Sequence, residues 1–127
     1  MLDVFWGSYY LALAVVILGH FGFAYLQWFK WPGLAKSLTK LPEGALETSA
    51  SLGRSFASYN ASIAVGLLLS FRLEDPTRMS AQAVVLALIV ATAAVGAAGT
   101  KTNRILKFRL TPAAAALVFY ALIQAST

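Results

Sequence analysis

Long apolar runs without charge, separated by short charged connections, form the dominant pattern of this chain. The first run covers residues 4–29 and contains no Asp, Glu, Lys or Arg. A helix of that length spans about 39 Å, which exceeds the ~30 Å hydrocarbon core of a bilayer. The run therefore predicts a transmembrane helix.

Three further apolar segments follow, separated by glycine, proline and charged residues. Together the four segments predict spans at about 4–29, 50–71, 79–99 and 104–125. Before the second span, residues 34–41 carry apolar positions at helical spacing, which fits a short surface helix and a plain loop equally well. The predicted fold class is all-α: an integral membrane four-helix bundle that forms a single transmembrane domain over residues 1–127.

The fourth span has two possible starts. Thr111-Pro112 is typical of a helix N-terminus with proline at the first position, but it leaves only about 15 residues, roughly 22 Å, to Ser126. Alternatively, the helix begins near Asn103 and kinks at Pro112. We favour the kinked helix because several residues before the proline are too apolar for a free loop. These residues are Ile105, Leu106, Phe108 and Leu110.

Basic residues are distributed unevenly between the connections. Eight lie around the first and third connections, and two lie in the second. Basic connections stay in the cytoplasm, so both termini are predicted on the non-cytoplasmic side of a bacterial-type inner (plasma) membrane, in a multi-pass arrangement. The eight are Lys30, Lys36, Lys40, Arg54, Lys101, Arg104, Lys107 and Arg109, and the two are Arg72 and Arg78. Aromatic residues near both ends of the first span predict two interfacial belts, one of Phe5, Trp6, Tyr9 and Tyr10 and the other of Trp28, Phe29 and Trp31.

Composition supports a membrane location. Hydrophobic residues make up 59% of the chain and charged residues only 12%, with a mean hydropathy of +0.72. The net charge of +5 then reflects topology and anionic lipid headgroups, so membrane lipids rather than nucleic acid are the expected partners. The absence of cysteine excludes disulfides and thiolate metal sites.

The second span carries a stripe of polar residues, and the third span carries a line of small residues. The second span has a polar stripe at intervals of three and four, which we expect to face protein or a water-filled cavity. This stripe consists of Glu47, Ser51, Arg54, Ser58 and Ser62. The third span has a line of alanines, which predicts close contact with the alanine-rich start of the fourth span. These alanines are Ala83, Ala87, Ala91, Ala94 and Ala98.

His20 is the single histidine and lies within the first span, seven residues before Gln27 and on the same helical face. An intramembrane imidazole can relay protons, ligate a metal or act as a general base. The alternative is a neutral histidine that hydrogen-bonds a serine or asparagine of a neighbouring helix. Haem ligation by His20, within one chain or between two subunits, is a further option, although no cofactor is predicted.

The second span holds the richest polar cluster. With His20 and Gln27 it predicts a ligand-binding cavity near the cytoplasmic leaflet. The predicted ligand-binding residues are His20, Gln27, Arg54, Ser58, Tyr59 and Asn60. The alternative is a set of interhelical hydrogen bonds, with Arg54 reaching a lipid phosphate. No metal site is predicted, because the spans contain no second histidine and no deep carboxylate.

Three segments resemble one family. These segments are HFGFAYLQWFKW (20–31), FASYNASIAVGLLL (56–69) and TKTNRILKFRLTP (100–112). They resemble the small bacterial four-helix membrane proteins described as domain of unknown function 1304. The matching residues are His20, Tyr59, Asn60, Arg104, Ile105, Leu106 and Pro112. Gln27 stands where the family pattern has glutamate, and Ser55-Phe56-Ala57 replaces Asn-Gln-Gly. If the family's polar residues perform proton chemistry, this chain lacks part of that machinery.

The resemblance implies four helices and no particular activity. Because no complete catalytic constellation is visible in the sequence, we predict a membrane protein of the binding or scaffold type, whose polar intramembrane face holds a lipid-like or small apolar ligand or docks a partner helix. It would form a homo-oligomer or join a membrane complex. One alternative is a membrane-embedded enzyme of isomerase or transferase type, acting on a hydrophobic molecule such as an epoxide. Its catalytic candidates are His20, Tyr59 and Arg54. The other alternative is a small transporter.

Overall fold

The secondary-structure elements in the described part of the chain are all helices. The computed structural model describes residues 1–99, 102–104 and 106–127, so Thr100, Lys101 and Ile105, which entered the predictions above, lie outside it. The helices are α1 (Leu2–Phe29), α2 (Trp31–Leu38), α3 (Ala50–Ser70), α4 (Thr77–Ala98) and α5 (Thr111–Ser126). A 3-10 turn at Glu43–Ala45 precedes α3, and a π-helical segment at Leu106–Leu110 leads into α5. The all-α prediction is confirmed.

Three helical segments are long and apolar enough to cross a membrane. In the described part of the chain they are Leu2–Phe29, Thr77–Ala98 and Lys107–Ser126. α3 is of similar length but does not reach the same hydropathy, since it contains Arg54, Asn60 and five serines. Helices suited to a bilayer therefore make up most of the molecule.

The core lies between α1, α3, α4 and α5. α1 packs against α3 and α5, and α4 packs against α5 and α3. Buried positions recur at intervals of three and four along these helices, as expected for one inward stripe per helix. The fully buried side chains at the centre include Leu13, Val16, Leu67, Leu86, Ile89 and Ile123. Tyr9 and Trp31 also turn inward, so they are not the interfacial belt residues that the sequence predicted.

α2 is a helix rather than a loop, and its apolar side packs on the protein. Trp31, Ala35 and Leu38 are buried, while Lys36 points outward and pairs with Glu43 at 2.8 Å. The Trp31 indole Nε1 donates a hydrogen bond to Ser49 Oγ at 2.9 Å. This hydrogen bond holds the connection between α1 and α3 against the N-terminal end of α3.

The fourth span begins before Pro112, as we favoured, but the irregularity is different. The chain adopts a π-helical segment at Leu106–Leu110 and continues as α5 from Thr111. Pro112 lies in the first turn of α5, where the fixed backbone angle of proline suits a helix. The π-helical segment joins the two parts of this span.

The polar stripe of the second span faces outward, contrary to the expectation. Its five residues are exposed, and nothing in the described chain covers them. The hydroxyls of Ser55, Ser58 and Ser62 donate to the carbonyls four residues earlier, at 3.1, 3.0 and 2.8 Å. Because their hydroxyls are satisfied within the helix, the stripe residues Ser58 and Ser62 need no partner from another helix.

The alanine line of the third span also faces outward. α4 does contact α5, but its buried residues are Met79, Gln82, Leu86, Ile89 and Ala93. Ala87, Ala91, Ala94 and Ala98 are exposed. Gln82 explains this rotation, because its amide requires hydrogen-bond partners that lipid cannot supply.

Candidate ligand-binding cavity

A cavity of about 570 Å³ lies among α2, α3, α4 and the π-helical segment. Its walls are largely apolar, and a few polar groups converge on it. The lining residues are Gln27, Trp31, Leu34, Ala35, Leu38, Thr39, Phe56, Tyr59, Asn60, Ile63, Thr92, Gly96, Gly99 and Arg109. This combination of apolar walls and few polar groups is typical of small-molecule sites.

Asn60 is fixed in the cavity wall by two hydrogen bonds. Its Nδ2 donates to Gln27 Oε1 at 2.7 Å and to the Phe56 carbonyl at 3.0 Å. A backbone carbonyl only accepts, so the Phe56 contact sets the orientation of the Asn60 amide. The Asn60 side chain is 5% exposed, yet its Oδ1 has no partner among the described residues. The wall therefore holds a buried acceptor without a donor.

Arg109 enters the same cavity from the π-helical segment. This segment lies against α1: a Cβ added to Gly19 would be 3.8 Å from the Phe108 carbonyl oxygen. The Arg109 Nε is buried without a partner in the described part of the chain. The ion pairs found there are Lys36–Glu43 and Arg78–Asp75, and neither involves Arg109. The cavity thus contains a guanidinium without a counter-charge from the described residues.

His20 lies in the interior but does not line the cavity. Its imidazole is 2% exposed, and Nδ1 is 2.8 Å from the Val16 carbonyl of the same helix. Since a carbonyl only accepts, this contact assigns the proton to Nδ1 and leaves Nε2 as an acceptor. Nε2 has no partner among the described residues, so the interhelical bond considered above is not formed. Haem ligation by His20 stays an option, as in the sequence analysis, and no cofactor is predicted.

Residues 14–121 match the model of a family described as a protein of unknown function, DUF1304. The match covers well over half of the 127 residues. The chain belongs to the DUF1304 family. The resemblance predicted from the sequence is thereby confirmed. Comparisons with curated proteins and with solved structures give no match.

The cavity of this DUF1304 protein contains only part of the predicted residue set. Gln27, Tyr59 and Asn60 line it, with Tyr59 at the rim and 67% exposed. Arg54 and Ser58 lie on the outer face of α3, because Asn60 rather than the serine stripe turns inward. The three catalytic candidates do not share a pocket: His20 is enclosed, whereas Arg54 and Tyr59 are exposed.

Sequence reasoning missed Arg109 as a cavity residue in this DUF1304 protein and used it only to count charge. The sequence feature that could have indicated this role is the position of Arg109 next to an apolar run. Placing a cation there costs free energy unless it faces protein. In the described part of the chain, no group of three or more His, Cys, Asp or Glu residues is arranged to hold a metal ion.

A second polar cluster, also missed, joins three helices at the other end of the DUF1304 core. The Tyr9 hydroxyl donates to Gln82 Oε1 at 2.7 Å, and Gln82 Nε2 donates to Ser70 Oγ at 2.8 Å. The Ser70 hydroxyl in turn donates to the Leu67 carbonyl. The chain of bonds satisfies its members and leaves no group open to a ligand, so it is a structural tie. The sequence feature that could have indicated this cluster is the lone amide of Gln82 within an apolar span.

Proposed function

We propose that this protein binds a lipid-like or small apolar ligand in the cavity between α2, α3 and α4. The cavity itself carries the proposal, because about 570 Å³ lies within the range of roughly 300–1,000 Å³ that ligand pockets occupy. Phe56 and Tyr59 at its edge are exposed on the side that would face lipid. An apolar ligand therefore has a lateral route from the bilayer.

The membrane arrangement belongs to the same proposal. α1, α3, α4 and α5 would form a four-helix transmembrane bundle in the inner membrane of a bacterial cell, with both termini on the non-cytoplasmic side. The excess of basic residues in the first and third connections supports this orientation. The internally bonded serines of α3 support its placement in lipid.

Binding of an uncharged fluorescent probe tests the function. Methyl parinarate would be titrated into protein in maltoside micelles, with direct excitation of the polyene. Ile63→Trp fills the cavity and should weaken binding at least about tenfold, because the added ring takes the space of the ligand. Val65→Trp is the matched control, since Val65 lies two residues further along α3 and points outward. Equal binding by wild type and Ile63→Trp would exclude this cavity as the site.

A further inference from the structure

Two unpartnered polar atoms of opposite type belong to residues that line the cavity. Arg109 Nε is a charged donor, and Asn60 Oδ1 is a neutral acceptor. Neither atom has a hydrogen-bond partner among the described residues, whereas Asn60 Nδ2 donates two hydrogen bonds. Buried polar groups in folded proteins nearly always have a partner, so a ligand in the cavity could supply one to each of these atoms.

Of the two unpartnered groups, the charged Arg109 needs a hydrogen-bond partner more than the neutral Asn60 does. Arg109 is partly exposed, but its Nε is buried, and guanidinium does not lose its proton in proteins. No carboxylate of the described chain pairs with it, and the neighbouring lining residues Gln27, Asn60 and Thr92 are uncharged. Arg109 therefore gives the cavity lining a net positive charge, and an anion is the group that this charge favours.

Building on the ligand-binding function proposed above, we infer that the ligand is an anionic amphiphile. Its carboxylate or phosphate accepts hydrogen bonds from Arg109, and a hydroxyl near that anion donates to Asn60 Oδ1. The apolar chain lies against Leu34, Leu38 and Ile63. The apolar walls favour an anion that carries a chain, so free inorganic phosphate is a much poorer ligand than a lipid-like acid.

Gln27 offers a substitution that changes charge without changing shape. Its Oε1 accepts from Asn60 Nδ2, and glutamate at this position keeps an oxygen acceptor there. Gln27→Glu adds a negative charge to the cavity while it preserves the hydrogen bond that fixes Asn60. The variant should therefore lose its preference for the anion over the uncharged ester.

The experiment is competition against methyl parinarate in maltoside micelles at about pH 8, well above the carboxylate pKa. The competitors are dodecanoate, 2-hydroxydodecanoate, methyl dodecanoate and inorganic phosphate. We expect dodecanoate to compete at least about tenfold better than its methyl ester, because the ester lacks the anion. We expect 2-hydroxydodecanoate to compete several-fold better than dodecanoate. Phosphate alone should compete weakly or not at all.

Single substitutions with a matched control show which residues cause the preference for the acid over its ester. Arg109→Gln and Gln27→Glu should each reduce the acid-to-ester ratio towards one, whereas Lys107→Gln removes an exposed charge from the same segment and should not. Asn60→Leu should remove the advantage of the hydroxylated acid. If Arg109→Gln does not fold, the wild-type ratio and Gln27→Glu decide the question.

The outcomes separate the two proposals. Equal competition by dodecanoate and its methyl ester in the wild type overturns the anionic ligand and leaves the cavity function intact. Equal competition by the two acids overturns the role of Asn60. Strong competition by inorganic phosphate shows that a free anion, rather than an amphiphile, is the ligand. Failure of methyl parinarate itself to bind the wild type refutes the cavity function.

Discussion

Replacing Gly53 by alanine tests the contact that holds α2 against α3. A Cβ added to Gly53 would lie 2.6 Å from Trp31 Cγ and Cδ2 and 2.9 Å from the Gln27 carbonyl oxygen. Ordinary contact begins at 3.4 Å, so α3 and Trp31 must separate by about 0.8 Å. Trp31 cannot swing away easily, because Cγ lies at the root of the indole and Nε1 is bonded to Ser49. The substitution therefore overpacks this contact.

The expected cost follows from a comparison with Gly66→Ala in the same helix. Among the described residues, nothing lies within 4 Å of a Cβ at Gly66, so alanine there gains only the helix propensity, about 0.5–1 kcal/mol. Gly53→Ala gains the same amount but loses about 1–3 kcal/mol through overpacking. The free energies of unfolding of the two variants should therefore differ by about 1–3 kcal/mol, with Gly66→Ala the more stable.

Unfolding by SDS in mixed micelles, followed by circular dichroism, measures this difference. Trp31→Leu combined with Gly53→Ala should recover part of the loss relative to the sum of the single variants, because the smaller side chain relieves the clash. Equal stability of Gly53→Ala and Gly66→Ala, with additive effects in the double variant, would show that the packing of Trp31 on α3 is not as described.

Three further predictions address the core, the topology and the cofactor. Tyr9→Phe should lower the unfolding free energy by about 1–3 kcal/mol, because Gln82 Oε1 loses its buried donor; a change below about 0.5 kcal/mol would contradict this role. Since the chain has no cysteine, Thr127→Cys in cells with a permeabilised outer membrane should react with an impermeant maleimide, and Lys40→Cys should react only after the inner membrane is opened. Protein purified from haem-replete cells should show a Soret band that disappears in His20→Ala if His20 ligates haem; the same spectrum in both proteins would exclude this.

Much of the fold follows from where charge is absent. The apolar runs located the long helices to within a few residues, since charge is excluded from helices of this kind. The direction in which each helix faces was harder to predict. The serines of α3 appeared to need partners, but their hydroxyls bond to their own backbone, and Asn60 determines the inward face instead. In α4 the face was set by Gln82 rather than by the alanines.

Part of the candidate site could be predicted, because polar residues within apolar runs are conspicuous in the sequence. Gln27 and Asn60 stood out as amides within apolar runs, and the structure bonds them to each other across 33 residues. Arg109 reaches the same cavity through a π turn, which shifts the phase of the helix in a way that no sequence period reveals. Its contribution therefore depended on tertiary geometry.

The short connection between α3 and α4 has a consequence for biogenesis. Only six residues, 71–76, separate the two helices. α3 is not among the candidate spans, so in the proposed membrane arrangement it would have a weak tendency to enter lipid by itself, whereas α4 contains the most apolar of the three candidate windows. The two can partition into the bilayer together as a helical hairpin, in which the favourable transfer of α4 carries α3 with it. Delivery of the polar cavity wall to the membrane would then depend on the helix that follows it.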